Sequence, residues 1–203
     1  MARSRRLVFS GHIAGFGTQA GVRMVVGSWA DSPFGTFADV MVEAPDGERT
    51  LLAPSTAVAE FVSQTYTFDR IELGDVDVRL TAESFSVAAP GLSVSGRIGG
   101  PAPFDWLLRL VPPVLAGAPA WLRLINPVAT MLVPGVRTAG SAGNGRREYY
   151  GVRRTRLITA VHGTFGGEDL GGLTALHPPV RFGFSSAPST PQLVAVTTTI
   201  DLP

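Results

Sequence analysis

The chain lacks two residue types that carry much of protein chemistry, cysteine and lysine. None of its 203 residues is Cys, which excludes disulfides, thiolate catalysis, Cys-ligated zinc and iron–sulfur clusters. All 17 basic residues are Arg, so a Schiff-base lysine, a P-loop lysine and a Ser-Lys dyad are excluded as well. The sequence therefore excludes covalent catalysis through a side-chain thiolate or amine.

Charge is scarce too. Charged residues make up 16% of the chain and the net charge is +1, so no overall field attracts nucleic acid or an anionic membrane. No run reaches the ~18 to 20 uncharged apolar residues that a spanning helix needs. The paired arginines Arg5 and Arg6 are not followed by the continuous apolar stretch of an export signal. We expect a cytoplasmic protein that binds no nucleic acid and has no membrane-spanning segment.

Turn-forming residues are abundant, with 24 Gly and 16 Pro, and apolar residues make up 45% of the chain. This composition favours many short strands around a real core and excludes disorder. Segments rich in Val, Phe, Leu and Thr lie between turn signals such as Pro45-Asp46-Gly47 and Pro90-Gly91. They predict strands at 6–13, 22–29, 37–43, 48–53, 68–80, 84–89, 92–98, 136–142, 147–163, 179–186 and 192–202.

Helical signals are confined to two places. Ser55 is a good cap for a short helix that reaches about Tyr66. Residues 101–134 form an apolar, Pro-broken insert that carries Trp106 and Trp121, with predicted helices at 104–111 and 119–132. Strands with helices grouped in one place indicate a mostly β (α+β) fold. We predict a single antiparallel β-barrel-like domain over residues 1–203, in which the insert is either core, a lid over a cavity, or an interface.

No standard catalytic or cofactor motif is present. Gly15, Gly17 and Gly21 do not have the spacing of a dinucleotide-binding loop, and no Gly-x-Ser-x-Gly elbow occurs. The histidines His12, His162 and His177 have no second ligand type at the spacing of a metal site. We therefore expect no cofactor and no metal.

The densest charge lies in residues 146–156, which contain five Arg together with Tyr149 and Tyr150. Arg side chains bind carboxylates and phosphates through two parallel hydrogen bonds, and Tyr adds a hydroxyl donor. The same pattern also fits a solvated strand face whose arginines pair locally, for example with Glu148. Both interpretations stay open at the level of sequence.

Two segments resemble acetoacetate-decarboxylase-like proteins. One reads Ser32-Pro33-Phe34-Gly35-Thr36-Phe37-Ala38-Asp39, and the other runs from Asn144-Gly145-Arg146-Arg147 to Gly151-Val152-Arg153-Arg154. The resemblance covers about 20 residues and implies a cone-shaped β-barrel around a small, mostly apolar pocket. It also implies a Schiff-base lysine in the second segment, where this chain has Arg153 or Arg154. Arginine forms no imine, so the decarboxylase mechanism of that family is excluded, and Asp39 stands where such proteins often carry Glu.

These observations predict a binder of a small hydrophobic molecule, such as a lipid, isoprenoid or polyketide-like compound, held in a barrel pocket. Its anionic or carbonyl end would be held by Arg and Tyr. The candidate ligand-binding residues are Arg147, Tyr149, Arg154, Trp106 and Trp121, with Tyr150 as an alternative to Tyr149. A cofactor-free cyclase, isomerase or lyase in the same pocket is the first alternative, with Asp39, Glu148 and His162 as candidate catalytic groups. A homo-oligomeric scaffold is the second alternative, and the apolar insert also leaves peripheral membrane contact open.

Overall fold

The computed structural model describes residues 6–103, 105–132, 138–141, 143–183 and 187–203. Thirteen strands in this part of the chain form one sheet. They are β1 (Arg6–Thr18), β2 (Arg23–Asp31), β3 (Phe37–Glu43), β4 (Arg49–Ala53), β5 (Arg70–Leu73), β6 (Asp77–Leu80), β7 (Ser84–Ala89), β8 (Leu92–Pro101), β9 (Ala139–Ser141), β10 (Arg147–Phe165), β11 (Glu168–Asp169), β12 (Leu173–Thr174) and β13 (Gln192–Asp201).

The sheet has the order β5-β4-β3-β2-β1-β13-β10-β8-β7-β6, with β9, β11 and β12 paired off this path. The β4–β5 pair is parallel, and the other pairs are antiparallel. The sheet is curled into a half-barrel, which confirms the predicted mostly β, barrel-like fold. Strand β13 lies between β1 and β10, so both ends of the described chain lie at the centre of the sheet.

Four helices accompany the sheet in the described residues: α1 (Thr56–Ser63), α2 (Asp105–Leu108), α3 (Pro113–Ala116) and α4 (Pro119–Leu132). The predicted cap of α1 is confirmed, because Ser55 Oγ accepts a hydrogen bond from the Val58 backbone N–H at 3.3 Å. Helix α4 has the predicted bounds, whereas α3 lies between the two predicted helices of the insert and was not predicted. None of the described helices has the length and hydropathy needed to cross a lipid bilayer.

Three predicted strands differ from the structure. Of the strand predicted at 136–142, β9 covers 139–141, and 136, 137 and 142 lie outside the described residues. The segment 68–80 is divided into β5 and β6, because the first half pairs with β4 and the second with β7. The strand predicted at 179–186 is wrong over 179–183, which is irregular, and 184–186 lie outside the described residues. In this loop the Arg181 N–H donates to Glu43 Oε2 at 2.7 Å and the Phe182 carbonyl accepts from the Thr67 N–H. These backbone groups therefore bond to a side chain and a loop instead of a neighbouring strand.

The central strands have two buried faces. Side chains alternate between the faces of a strand, and in β1 to β3 the even positions, such as Phe16, Met24 and Val40, pack into the large apolar core. That core fills the inside of the curl, where Phe16 meets Phe85 of β7 with ring centroids 5.7 Å apart. The odd positions of the same strands point to the opposite face, which helices and a loop cover.

Candidate functional site

A cavity of about 540 Å³ lies on this opposite face, a volume in the range of sites for small organic molecules. Its floor is formed by odd positions of β1 to β3, among them Ile13, Val25 and Met41, together with residues of β10 and β13. Its cover comes from α1, from the loop around Val180 and from the insert. The insert contributes Ala102, Pro103, Leu107, Leu108, Val111, Ala116, Trp121, Leu122 and Ile125. The apolar insert is thus a cover over a cavity in the described residues.

The cover is fastened to the sheet by a buried carboxylate. Asp105, at the start of α2, accepts a hydrogen bond at Oδ1 from the Thr155 backbone N–H of β10 at 2.8 Å. Its Oδ2 accepts from Arg109 Nε at 2.8 Å and lies 3.6 Å from Arg154. These bonds hold the pKa of Asp105 below its ordinary value against the opposing effect of burial. Arg154 and Arg109 therefore contribute to the position of the insert.

The polar end of the cavity centres on Glu148. Tyr66 donates its hydroxyl to Glu148, with distances of 2.7 Å to Oε1 and 2.9 Å to Oε2. The Tyr66 and Tyr150 hydroxyls lie 2.7 Å apart. Burial raises the pKa of Glu148 to about 7, against the stabilising bonds from the two tyrosines. The pKa values of both tyrosines are raised well above their ordinary range by burial and by the nearby carboxylate, so both hydroxyls remain protonated donors.

A second carboxylate, Asp39, faces the same cavity. Trp29 donates its indole N–H to Asp39 Oδ1 at 2.9 Å, and burial raises the pKa of Asp39 to about 6. The two side chains meet above Gly27, where an added Cβ would lie 2.5 Å from Asp39 Oδ1 and 2.7 Å from Trp29 Nε1. Asp39 also raises the pKa of Tyr150. Asp39 is therefore linked electrostatically to the tyrosine–Glu148 cluster through Tyr150.

The remaining polar surface of the cavity is small. Thr198 lines it from β13, directly opposite Tyr150 in the strand register. The hydroxyl of Thr198 is buried and has no hydrogen-bond partner. No Arg and no His is among the described residues that line the cavity. Carboxyls, hydroxyls, the Trp29 indole and the Gln192 amide can form hydrogen bonds here, and no described lining residue carries a positive charge.

The structure brings together only some of the residues singled out from the sequence. Asp39, Glu148, Tyr150 and Trp121 line the cavity. The others lie outside it, namely Arg147, Tyr149, Arg154, Trp106 and His162.

Strand geometry explains most of these placements. Because Glu148 and Tyr150 face the cavity, the alternate positions Arg147 and Tyr149 face the other way, and the Tyr149 hydroxyl accepts from Arg123 Nε at 2.9 Å. Arg154 follows a bulge in β10 and is exposed. Trp106 is 60% exposed on the outer side of the cover. The predicted anchoring of an anionic ligand end by arginine therefore finds no arginine at the cavity among the described residues.

Sequence reasoning missed Tyr66, which supplies the closest hydrogen bond to Glu148. Tyr66 follows α1 in a loop, where its neighbours Thr65 and Thr67 are polar, and the sequence there indicates only the end of a helix. Its partner is 82 positions away, so no local pattern joins them. In the part of the chain that the structure describes, no group of three His, Asp or Glu side chains is arranged to hold a metal ion.

Comparison with solved structures finds a similarity to the crystal structure of acetoacetate decarboxylase from Legionella pneumophila subsp. pneumophila str. Philadelphia 1. The two chains are 10% identical with a TM-score of 0.43, and the match covers 97% of this chain and 84% of that one. It agrees with the weak, partial resemblance that the two sequence segments indicated. No protein-family model and no curated protein matches the chain.

Proposed function

We propose that the protein binds a small, largely apolar molecule in the cavity under the insert and holds its polar group at Glu148, Tyr66 and Tyr150. The observation that carries this proposal is a mostly apolar cavity of about 540 Å³ in which Glu148, Tyr66 and Tyr150 form one hydrogen-bonded cluster. An apolar wall with a small number of convergent polar groups is the usual composition of a small-molecule site.

The energetics favour an apolar guest. Removing apolar surface from water contributes roughly 25 cal/mol per Å², so a guest that buries ~300 Å² gains ~7 kcal/mol before the costs of association. A guest must also satisfy the polar end, because a buried hydroxyl or carboxyl without a partner costs on the order of 1 to 3 kcal/mol. One polar group on an otherwise apolar skeleton meets both requirements.

Binding is tested by mass spectrometry of gently purified protein and by titration with Nile red, an uncharged apolar dye. We expect a co-purified small molecule or saturable one-to-one uptake of the dye. The variant Gly15→Leu places a side chain inside the cavity, where the added Cβ meets Leu176 at 3.6 Å, and should weaken dye binding tenfold or more. The matched variant Gly100→Leu, where an added Cβ has nothing within 4 Å, should bind as wild type does. Absence of any bound molecule together with no dye uptake would overturn the proposal.

A second function is favoured by one specific observation, the position of Glu148 between two tyrosine hydroxyls. A carboxylate with a pKa of about 7 is suited to act as a general base near neutral pH. If a ketone occupied the cavity, Glu148 would remove an α-proton while Tyr66 or Tyr150 donated a hydrogen bond to the enolate oxygen. Where the ketone is β,γ-unsaturated, return of the same proton from Glu148 to the γ-carbon of the dienolate would give the α,β-unsaturated isomer, with no cofactor consumed.

This second function has its own test. Proton exchange at the α-carbon of cyclic ketones in D₂O, followed by NMR, should be faster with wild-type protein than with buffer. Glu148→Gln should abolish the acceleration, and Tyr150→Phe should reduce it while leaving dye binding in place. Exchange at the buffer rate for ketones that demonstrably bind would exclude the enzyme and leave the binding function standing.

A further inference from the structure

The charges that face the cavity are of one sign. Asp39 is 4% exposed and Glu148 is 1% exposed, and no positively charged side chain is among the described residues that line the cavity. Arg146, which is not among these lining residues, donates to the Phe61 carbonyl at 3.0 Å and to Thr65 Oγ1 at 2.7 Å. Burying a carboxylate without a nearby cation costs free energy, and both Asp39 and Glu148 are buried in this way.

We propose that the polar group of the ligand is a protonated amine that lies against Glu148 and Asp39, so that the ligand is a hydrophobic ammonium compound. This inference rests on the proposed binding function and specifies its ligand class. An ammonium group would supply the positive charge that the cavity lacks. Its N–H groups would donate to carboxylate oxygens, which only accept. An anionic ligand would meet two like charges instead.

Aromatic rings around the cavity support the same class of ligand. The lining includes Phe9, Trp29, Phe37, Phe61, Trp121 and Phe182. The faces of these rings carry partial negative charge and attract cations, and Trp does so most strongly. An aromatic wall beside a carboxylate is therefore favourable for an ammonium group with an apolar body, and unfavourable for a carboxylate group.

A further observation is a hydroxyl without a hydrogen-bond partner, which can accept a hydrogen bond as well as donate one. The Thr198 hydroxyl is buried, 3% of the residue is exposed, and its oxygen has no partner. Thr198 lines the cavity directly across from Tyr150, next to the bonded group of Tyr66 and Glu148. A buried hydroxyl without a partner is rare in native proteins. Its oxygen would accept one N–H of an ammonium group held by the neighbouring carboxylate.

Binding of an amine would change the protonation of the cavity. Burial raises the pKa of Glu148 to about 7 and that of Asp39 to about 6. An adjacent ammonium lowers a carboxyl pKa, so binding near pH 6.5 should release protons. Affinity for the amine should rise as the pH increases through about 7, until the amine itself deprotonates. An anionic ligand would show the opposite sign, because it would take up protons on binding.

The test is calorimetric titration with three compounds of one skeleton, decylamine, decanol and decanoate. At pH 8 we expect the amine to bind at least tenfold more tightly than the alcohol, and decanoate most weakly. At pH 6.5, titration in buffers of different ionisation enthalpy should show net proton release with decylamine. Equal affinity for amine and alcohol, or tightest binding of decanoate, would overturn the ammonium ligand while leaving the binding function intact. Failure to bind any of the three, and Nile red as well, would overturn both.

Variants of the two cavity carboxylates test whether they cause the preference for the amine. Glu148→Gln should lose most of the preference for decylamine over decanol and most of the proton release, with affinity for decanol changed less than about threefold. Asp39→Asn provides a second, independent variant should the first fold poorly. The matched control Glu168→Gln changes an exposed carboxylate on β11 and should keep the full preference. A preference for the amine that persists in both cavity variants would contradict the proposal.

Discussion

The hydroxyl of Tyr66 lies 2.7 Å from Oε1 and 2.9 Å from Oε2 of Glu148, although 82 positions separate the two residues in the chain. The bond joins the loop after α1 to the beginning of β10, and both residues line the cavity. Glu148 is buried and Tyr66 is partly buried, so loss of this bond would leave a buried carboxyl without its closest donor. The polar end of the cavity is therefore also part of what holds the fold together.

The pH dependence of stability should reveal the two buried carboxyls. Glu148 and Asp39 have folded pKa values of about 7 and about 6, raised from 4.5 and 3.8 by burial. The folded state therefore binds more protons than the unfolded state between about pH 4 and 7, and the free energy of unfolding falls as pH rises through this window. The shift of Glu148 corresponds to a loss on the order of 3 kcal/mol. Urea unfolding at pH 5 and pH 8 measures it.

The contribution of Glu148 is isolated by comparing the pH dependence of the free energy of unfolding in wild type and in Glu148→Gln. His12, whose pKa is lowered by burial and by Arg153, makes stability rise with pH below about 6.5, but it is common to both proteins. Asp105, with a lowered pKa, loses its contribution only below its ordinary pKa of 3.8. The variant should lose less stability than wild type between pH 5 and 8. Parallel pH profiles for the two proteins would show that Glu148 titrates normally.

Gly27 should be essential for the contact between Trp29 and Asp39. An alanine Cβ there would lie within 2.7 Å of both the indole nitrogen and the carboxylate oxygen, so one of the two must move. We expect Gly27→Ala to cost about 1 to 3 kcal/mol of stability and to alter the fluorescence of Trp29. Gly100→Ala, in open space on β8, is the matched control and should change stability by well under 1 kcal/mol. Equal effects of the two substitutions would contradict the geometry described for Gly27.

The sequence predicted the sheet well because its signals are local. Alternation of apolar residues identified most strands, and Asp46-Gly47 and Pro90-Gly91 marked the β3–β4 and β7–β8 turns, where Gly47 and Gly91 have φ of +93° and +65°. The strand predicted at 179–186 is wrong over 179–183, because Val180 and Phe182 are typical of strands although this segment is a loop. Its backbone partners, Glu43 and Thr67, are distant in sequence. Such partners are decided by tertiary structure and leave no periodic signal.

The candidate site was only partly predictable for a related reason. Asp39 and Glu148 stood out as acids within apolar strands, and both reach the cavity. The five arginines of 146–156 were the stronger sequence signal for a ligand site. None of them lines the cavity, because strand alternation and a bulge after Val152 direct their side chains away from it. The prediction also placed the pocket inside the barrel, where the structure has a packed core. Which face of a curled sheet is filled depends on the summed volumes of distant side chains, and a sequence pattern does not reveal this.

The two tryptophans of the insert should separate a ligand cover from an interaction surface. Trp121 lines the cavity, whereas Trp106 is 60% exposed. We expect Trp121→Ser to weaken binding of Nile red about tenfold, and Trp106→Ser to leave it unchanged. Size-exclusion mass measured on the same samples tests the oligomeric alternative. A dimer that dissociates in Trp106→Ser, with no change of dye affinity in Trp121→Ser, would favour the scaffold over the cover.

The loop that closes the cavity beside Val180 and Phe182 should depend on Glu43. This carboxylate is fully buried, lies 3.1 Å from the buried Arg23 and accepts from Arg181 Nε at 2.9 Å. Glu43→Gln removes the charge that compensates Arg23, and loss of one partner of a buried pair costs about 3 to 5 kcal/mol.

The matched control for Glu43 is an exposed ion pair on the same sheet. Arg70 and Glu72 lie 2.8 Å apart on β5, with the Arg70 side chain 61% exposed, and such pairs contribute about 0 to 1 kcal/mol. Urea unfolding of Glu43→Gln and Glu72→Gln should therefore differ by at least 2 kcal/mol. Hydrogen exchange of Glu43→Gln should be faster at the Arg181 amide, which has lost a charged acceptor. If the two variants were equally stable, Glu43 would not be holding this wall of the cavity through its charge.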